Sequence, residues 1–120
     1  MQYMFLIYSA PSAEPTYGTP EFQAMMAEFS AFNEKAGADG VLRSGEGLQG
    51  IETATSLRLR GGKAETMDGP FAETREHLGG YYVLDVPDLD TALRYAAMIP
   101  AAKFGTIEVR PLMNYNPTNS

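Results

Sequence analysis

The sequence predicts an α+β fold built on one antiparallel sheet, and three observations carry that reading. Two segments repeat apolar residues at helical spacing, and each begins at a capping residue. Runs of strand character stand before, between and after them. A Gly-Gly pair folds two further alternating runs into a hairpin. The order is strand, helix, strand, hairpin, strand, helix, strand; without the inserted hairpin this is the ferredoxin-like βαββαβ arrangement.

The first strand is "QYMFLIYS", apolar or aromatic at almost every position, as expected of a strand covered on both faces and placed mid-sheet. "APSAEPTYG" follows as a loop. Thr19-Pro20-Glu21 then supplies an N-cap, a proline at the first helical position and an early acid, so a helix starts at residue 20. Phe22, Met25, Met26, Phe29 and Phe32 form one apolar stripe, read as plain core, and Gly37 and Gly40 close the helix. "VLRSGEGL" has strand character up to Ser44. "ATSLRLR" alternates Leu57 and Leu59 with Arg58 and Arg60, turns at Gly61-Gly62 and returns as "KAETM". "GYYVLDV" is the next strand, Asp88 caps a helix carrying Leu89, Ala92, Leu93 and Ala96, and "GTIEVRPL" is the last strand. A sheet with helices on one face leaves the second face of the first strand bare, which predicts a homodimer with two sheets face to face.

At 120 residues the chain has the size of one domain, spanning 1–120, with 113–120 expected as a loosely ordered tail. Fifteen acidic residues against nine basic ones, with the basic residues scattered, leave no phosphate-binding stripe, so no nucleic-acid partner is expected. The absence of cysteine excludes disulfides and thiolate ligands, and a single histidine is too few for an ordinary zinc site. That leaves open only a metal held by carboxylates alone, and neither a metal nor a cofactor is expected. The amino-terminal apolar run of about seven residues lacks a basic flank and is shorter than the ~18 of a membrane span, which points to a soluble, cytoplasmic protein.

"GEGLQG" at 45–50 matches the G-x-G-x-x-G pattern of a dinucleotide turn, with Asp68 near the distance of a ribose contact. The pattern requires a helix opening inside the glycines, whereas the β-branched, alternating "IETATSLRLR" follows here. A turning or bulged strand end is the better reading. In "DGPF", Pro70 pushes Gly69 into an extended or turn conformation and the Asp68 carboxylate is placed to accept from the amides beyond it. The result is a stiff turn of Gly69 and Pro70, with Phe71 as an anchor in the core or at a subunit contact. Glu73, Arg75, Glu76 and His77 then crowd a connection between strands; they are either the rim of a site for an anion or a proton, or a solvated, self-paired face.

The run "KAETMDGPFAETREHLGGYYVLDVPDLDTALRYAAMIPAAKFGTIEVRPL", together with "QYMFLIYS" and "LRSGEGLQ", resembles the DGPF group of the YCII-related proteins across nearly the whole chain. That resemblance implies a dimeric α/β barrel of ferredoxin-like subunits. It also implies a pocket in which wider relatives use a His-Asp pair as acid and base, one branch acting on a chlorinated aromatic ring in a degradation pathway. His77 lies after the DGPF turn, so no histidine carries over; Asp68, inside the motif, is the more plausible acidic partner. The common association of DGPF members with extracytoplasmic-function sigma factors implies a regulatory or stress setting.

Two functional readings stand. One is a dimer that binds a small molecule or a partner, with the DGPF turn as scaffold. The other is a cofactor-independent lyase or isomerase acting on an aromatic or anionic substrate. In it Asp68, Glu73 and His77 handle protons, while Arg75, Glu76, Phe71 and Tyr81 contact the ligand. Tyr3, Tyr8 and Tyr82 are further sources of hydroxyls or ring walls. An Asp68 buried beside Arg75 favours the enzyme, and an Asp68 bonded to its own turn amides favours the scaffold.

Overall fold

A computed structural model describes residues 1–114. Strand β1 (Gln2–Ser9) is the spine of the sheet, antiparallel on one side to β5 (His77–Asp85) and on the other to β6 (Thr106–Pro111). Strand β2 (Leu42–Gly47) joins the outer edge of β5, giving the order β2-β5-β1-β6 with every pair antiparallel. This is the ferredoxin-like α+β arrangement. Helices α1 (Pro20–Ala38) and α2 (Leu89–Ala96) complete it, and the inserted hairpin of β3 (Thr55–Arg60) and β4 (Lys63–Asp68) forms a separate two-stranded sheet.

The local signals explain the elements. The Thr19 hydroxyl accepts from Phe22 N–H at 3.2 Å with Pro20 at the first helical position, and the Asp88 carboxylate accepts from Thr91 N–H at 2.8 Å at the start of α2. Gly61 and Gly62 take φ of +57° and +78°, the mirror-image turn that matches the twist of two strands. Gly37 remains inside α1, and Gly40 at φ +74° ends it. Two boundaries differ from the sequence reading. β2 continues past Ser44 to Gly47, because Gly45, Glu46 and Gly47 keep pairing with β5 after an irregularity at Arg43. β5 begins at His77, which pairs with Ser9 and is therefore a strand residue and not part of the connection.

Alternation along β1 turns Tyr3, Phe5, Ile7 and Ser9 towards the helices, where all four are buried. They pack with Phe32 and Ala36 of α1, Tyr82 and Leu84 of β5, Val86, Ala92 and Ala96 of α2, and Ile99. Phe5, Leu84, Val86 and Ile99 are the largest fully enclosed side chains, and the Phe32 and Tyr82 rings lie 4.8 Å apart at a 53° tilt. Met4, Leu6 and Tyr8 point to the other face and are only half-buried. The hairpin stands clear of this body. The radius of gyration, 16.6 Å, exceeds the about 13.6 Å expected of a compact chain of this length. Of the expected loose tail, 115–120 lies outside the described residues.

Candidate functional site

The stripe on α1 read as plain core is only partly that. Among its residues Phe32 is buried, and Phe22, Met25, Met26 and Phe29 instead wall a cavity of about 700 Å³ between α1 and the sheet. The reason is the opposite wall: where a packed sheet would present side chains, β2 and β5 present Gly45, Gly47, Gly79 and Gly80. Gly47 and Gly80 face each other in register. A methyl group on Gly47 would meet nothing within 4 Å, so the space above it is open. At Gly45 the constraint is contact, since a Cβ there would lie 2.5 Å from the Tyr82 ring. Leu42, Leu48, Ala101 and Phe104 add to an apolar lining.

Two polar pairs interrupt it. Tyr82 Oη donates to Asn33 Oδ1 at 2.6 Å, and burial holds the Tyr82 phenol above its ordinary pKa of 10.0, so it stays a donor through neutral and mildly alkaline pH. At the mouth, Ser9 Oγ donates to Glu14 Oε1; Ser9 is 5% exposed, and Glu14 stands on the exposed rim. Arg43 also reaches the lining, but its guanidinium donates to the Gly40 carbonyl at 2.9 Å and to Asp85 Oδ2 at 3.4 Å. The cavity therefore pairs a large apolar surface with a few oriented oxygens and one amide, the usual make-up of a small-molecule site.

The residues singled out in the sequence fall differently. Tyr81 reaches the cavity lining, although alternation with the inward Tyr82 and register with Leu6 turn its ring to the opposite sheet face. His77 is half-buried and directly opposite Ser9, so it neighbours the polar end of the cavity without lining it. Asp68, Phe71, Glu73, Arg75 and Glu76 do not line it. Asp68 is exposed at the end of β4 and bonds neither Arg75 nor the turn amides; the Gly69 N–H donates to the Ala54 carbonyl at 2.7 Å instead, with Gly69 at φ +91°. The turn is thus held by the backbone and by Ser56 Oγ, which donates to the Gly69 carbonyl at 2.8 Å. Phe71, expected as an anchor, is 74% exposed and has no place in the core of this chain. Thr74 Oγ1 donates to the Glu76 carbonyl at 2.6 Å, which leaves the Glu73, Arg75 and Glu76 side chains without an ion pair to one another among the described residues.

Sequence reasoning missed Ser9, Glu14 and Asn33. Asn33 carried a signal: with Phe22, Met26 and Phe29 it continues the 4-3-4 spacing of the apolar stripe, and a polar residue on such a stripe faces either a partner or a cavity. Glycines 47 and 80 became informative only when the strands carrying them proved to be paired. Among the described residues no group of three or more His, Asp or Glu side chains converges as a metal site, and no helix is long and apolar enough to cross a membrane.

The model of the YCII-related domain matches residues 1–116. An uncharacterized protein of Rhizobium meliloti (strain 1021) is 37% identical over 119 residues, covering 98% of this chain and 96% of its own. Among solved structures, the 5-chloro-2-hydroxyhydroquinone dehydrochlorinase of Burkholderia phenoliruptrix AC1100, in complex with 2,5-dihydroxybenzoquinone, superposes with a TM-score of 0.54. The two chains are 13% identical, the alignment covers 94% of each, and at that identity the likeness is one of fold.

Proposed function

The chain belongs to the YCII-related domain family, and we propose that it binds a small, ring-shaped, largely apolar molecule in the cavity between α1 and the sheet. The observation that carries this reading is the cavity itself, about 700 Å³, within the roughly 300–1,000 Å³ typical of ligand sites. Its aromatic and thioether wall suits a flat ring, and the open floor over Gly47 gives it room. The dehydrochlorinase of similar fold holds a dihydroxylated quinone, which supports a ring ligand here without specifying it. The test is amide NMR of the full chain titrated with phenol and toluene. Shifts confined to residues around the cavity, such as Ser44 to Leu48 and Phe29 to Asn33, are expected, and shifts confined to the DGPF segment or none at all would overturn the reading.

A second reading, cofactor-independent acid-base catalysis in the same cavity, is favoured by one observation: His77 pairs in register with Ser9, whose hydroxyl bonds Glu14 at the polar end of the cavity. Of the catalytic group proposed from sequence, His77 enters this reading directly, while Asp68 and Glu73 would need the connecting segment to fold over the mouth. Turnover of hydroxylated or chlorinated aromatic rings that is lost in His77→Ala would support it; retention of turnover in that variant would remove His77 from the chemistry.

We also propose that the chain works as a homodimer. Met4, Leu6 and Tyr8 lie half-buried on the face of the sheet that carries no helix, and Leu57 and Leu59 stand 62% and 65% exposed on one face of the hairpin. Apolar area of this kind is removed from water most simply by a second copy. Sedimentation velocity at micromolar concentration should give a dimer, and a monomer throughout would refute it.

A further inference from the structure

Resting on the small-molecule reading above, we infer that the cavity selects a neutral ligand hydroxyl over an anion, with Glu14, positioned by Ser9, as the residue that decides it. The charged and titratable groups around the lining are Glu14, Arg43, Glu46, Tyr81 and Tyr82, with His77 across from Ser9. Arg43 is the one permanent cation among them, and it is already engaged by Asp85 and the Gly40 carbonyl. Glu46 is itself an acid and pairs in register with Tyr81, on the face turned away from α1. Tyr82 is kept protonated and points its hydroxyl at Asn33. An anionic substituent would therefore enter next to the Glu14 carboxylate with no free cation among the described lining residues to offset it.

A hydroxyl meets the opposite situation. The Ser9 bond occupies one of the roughly four acceptor positions of the Glu14 carboxylate, and it holds the group at the mouth instead of letting it sweep through solvent. What remains accepts a ligand O–H in a charge-assisted hydrogen bond, about twice the strength of a neutral one. Deeper in, Asn33 lines the cavity and its amide oxygen accepts from Tyr82, a bond that does not use its N–H donors. A ring bearing a protonated hydroxyl, with a carbonyl or ether oxygen elsewhere on it, satisfies both ends. A carboxylate or phenolate satisfies neither at the mouth, and this narrows the aromatic-or-anionic substrate expected from sequence to its neutral, hydroxylated part.

The experiment uses phenol, toluene, benzoate and 4-nitrophenol with the full chain, its Glu14→Gln variant and its Glu14→Ala variant. Phenol should bind about tenfold tighter than toluene, and this margin should fall to within about threefold in Glu14→Ala, as the loss of one charge-assisted bond requires. Benzoate should bind most weakly and gain in Glu14→Gln. Bound 4-nitrophenol should show the absorption of its protonated form at the pH where the free compound is half ionised, and lose that preference in Glu14→Gln. Toluene and phenol binding equally, or 4-nitrophenol bound as the phenolate, would overturn this inference while leaving a small-molecule cavity in place. Failure of every probe to move a cavity resonance would overturn both.

Discussion

The molecule contains two regions of opposite construction. The cavity between α1 and the sheet is assembled from glycines, phenylalanines and methionines that look unremarkable in the sequence, while the hairpin arm and the DGPF segment hold the conspicuous residues. In the first, Ser9, Asn33 and Tyr82 are held by side-chain hydrogen bonds against an apolar wall. In the second, Asp68, Phe71, Glu73 and Arg75 stand in water and the shape is kept by backbone hydrogen bonds. The difference teaches that a recognisable motif can mark a family through its turn geometry, whereas a cavity is marked by what the facing residues lack.

Two phenylalanines give the largest test of that contrast. Phe32, 4% exposed and stacked on Tyr82, should cost about 3–5 kcal/mol of unfolding free energy when truncated to alanine. Phe71→Ala, at 74% exposure, should stay within about 0.5 kcal/mol in urea titrations under conditions where the chain is monomeric. Similar costs at the two positions would mean that the DGPF segment is packed as firmly as the core.

Next in size are the two glycines of β2. Gly45→Ala places a methyl group against the Tyr82 ring and should destabilise by about 1–3 kcal/mol through overpacking. Gly47→Leu extends into open space, so it should leave the melting temperature within a few degrees while weakening phenol binding by at least about tenfold. Calorimetry of both variants separates the roles; a Gly47→Leu chain that binds normally would move the ligand elsewhere.

A smaller loss is expected from Tyr82→Phe, which leaves Asn33 without its donor and should cost about 1 kcal/mol. Smallest is a pH effect at α2. The Asp88 carboxylate lies below its ordinary 3.8, chiefly because the Thr91 backbone N–H bonds its charged form. The sign follows: its contribution is complete above 3.8 and is lost as pH falls through the lower folded value. Asp88→Asn should therefore lower stability at neutral pH, and the two stability curves should converge in acid. Curves that stay parallel down to about pH 2 would refute the assignment.

Most of the architecture was legible because its signals are local. Thr19-Pro20-Glu21, Asp88 and Gly61-Gly62 each act within four residues, and each sits where its chemistry placed it. The cavity was not, because Ser9, Gly47 and Tyr82 are brought side by side only by the sheet register, and Glu14 and Asn33 reach them from a loop and from α1. His77 shows both sides of this. It stood out in the sequence as the single histidine, but its neighbour Ser9 lies 68 residues away in sequence, on another strand. The five-residue charge cluster drew attention by its density, a property that solvated loops share with sites.

The wall and the floor of the cavity also differ in how they tolerate change over generations. Methionines such as Met25 and Met26 adjust their shape at little energetic expense, and a glycine such as Gly47, with space above it, can acquire a side chain without displacing a neighbour. The shape of the cavity can thus drift by single substitutions that leave the Phe5, Leu84 and Ile99 core untouched. A family built on this plan can vary its cavity faster than its fold.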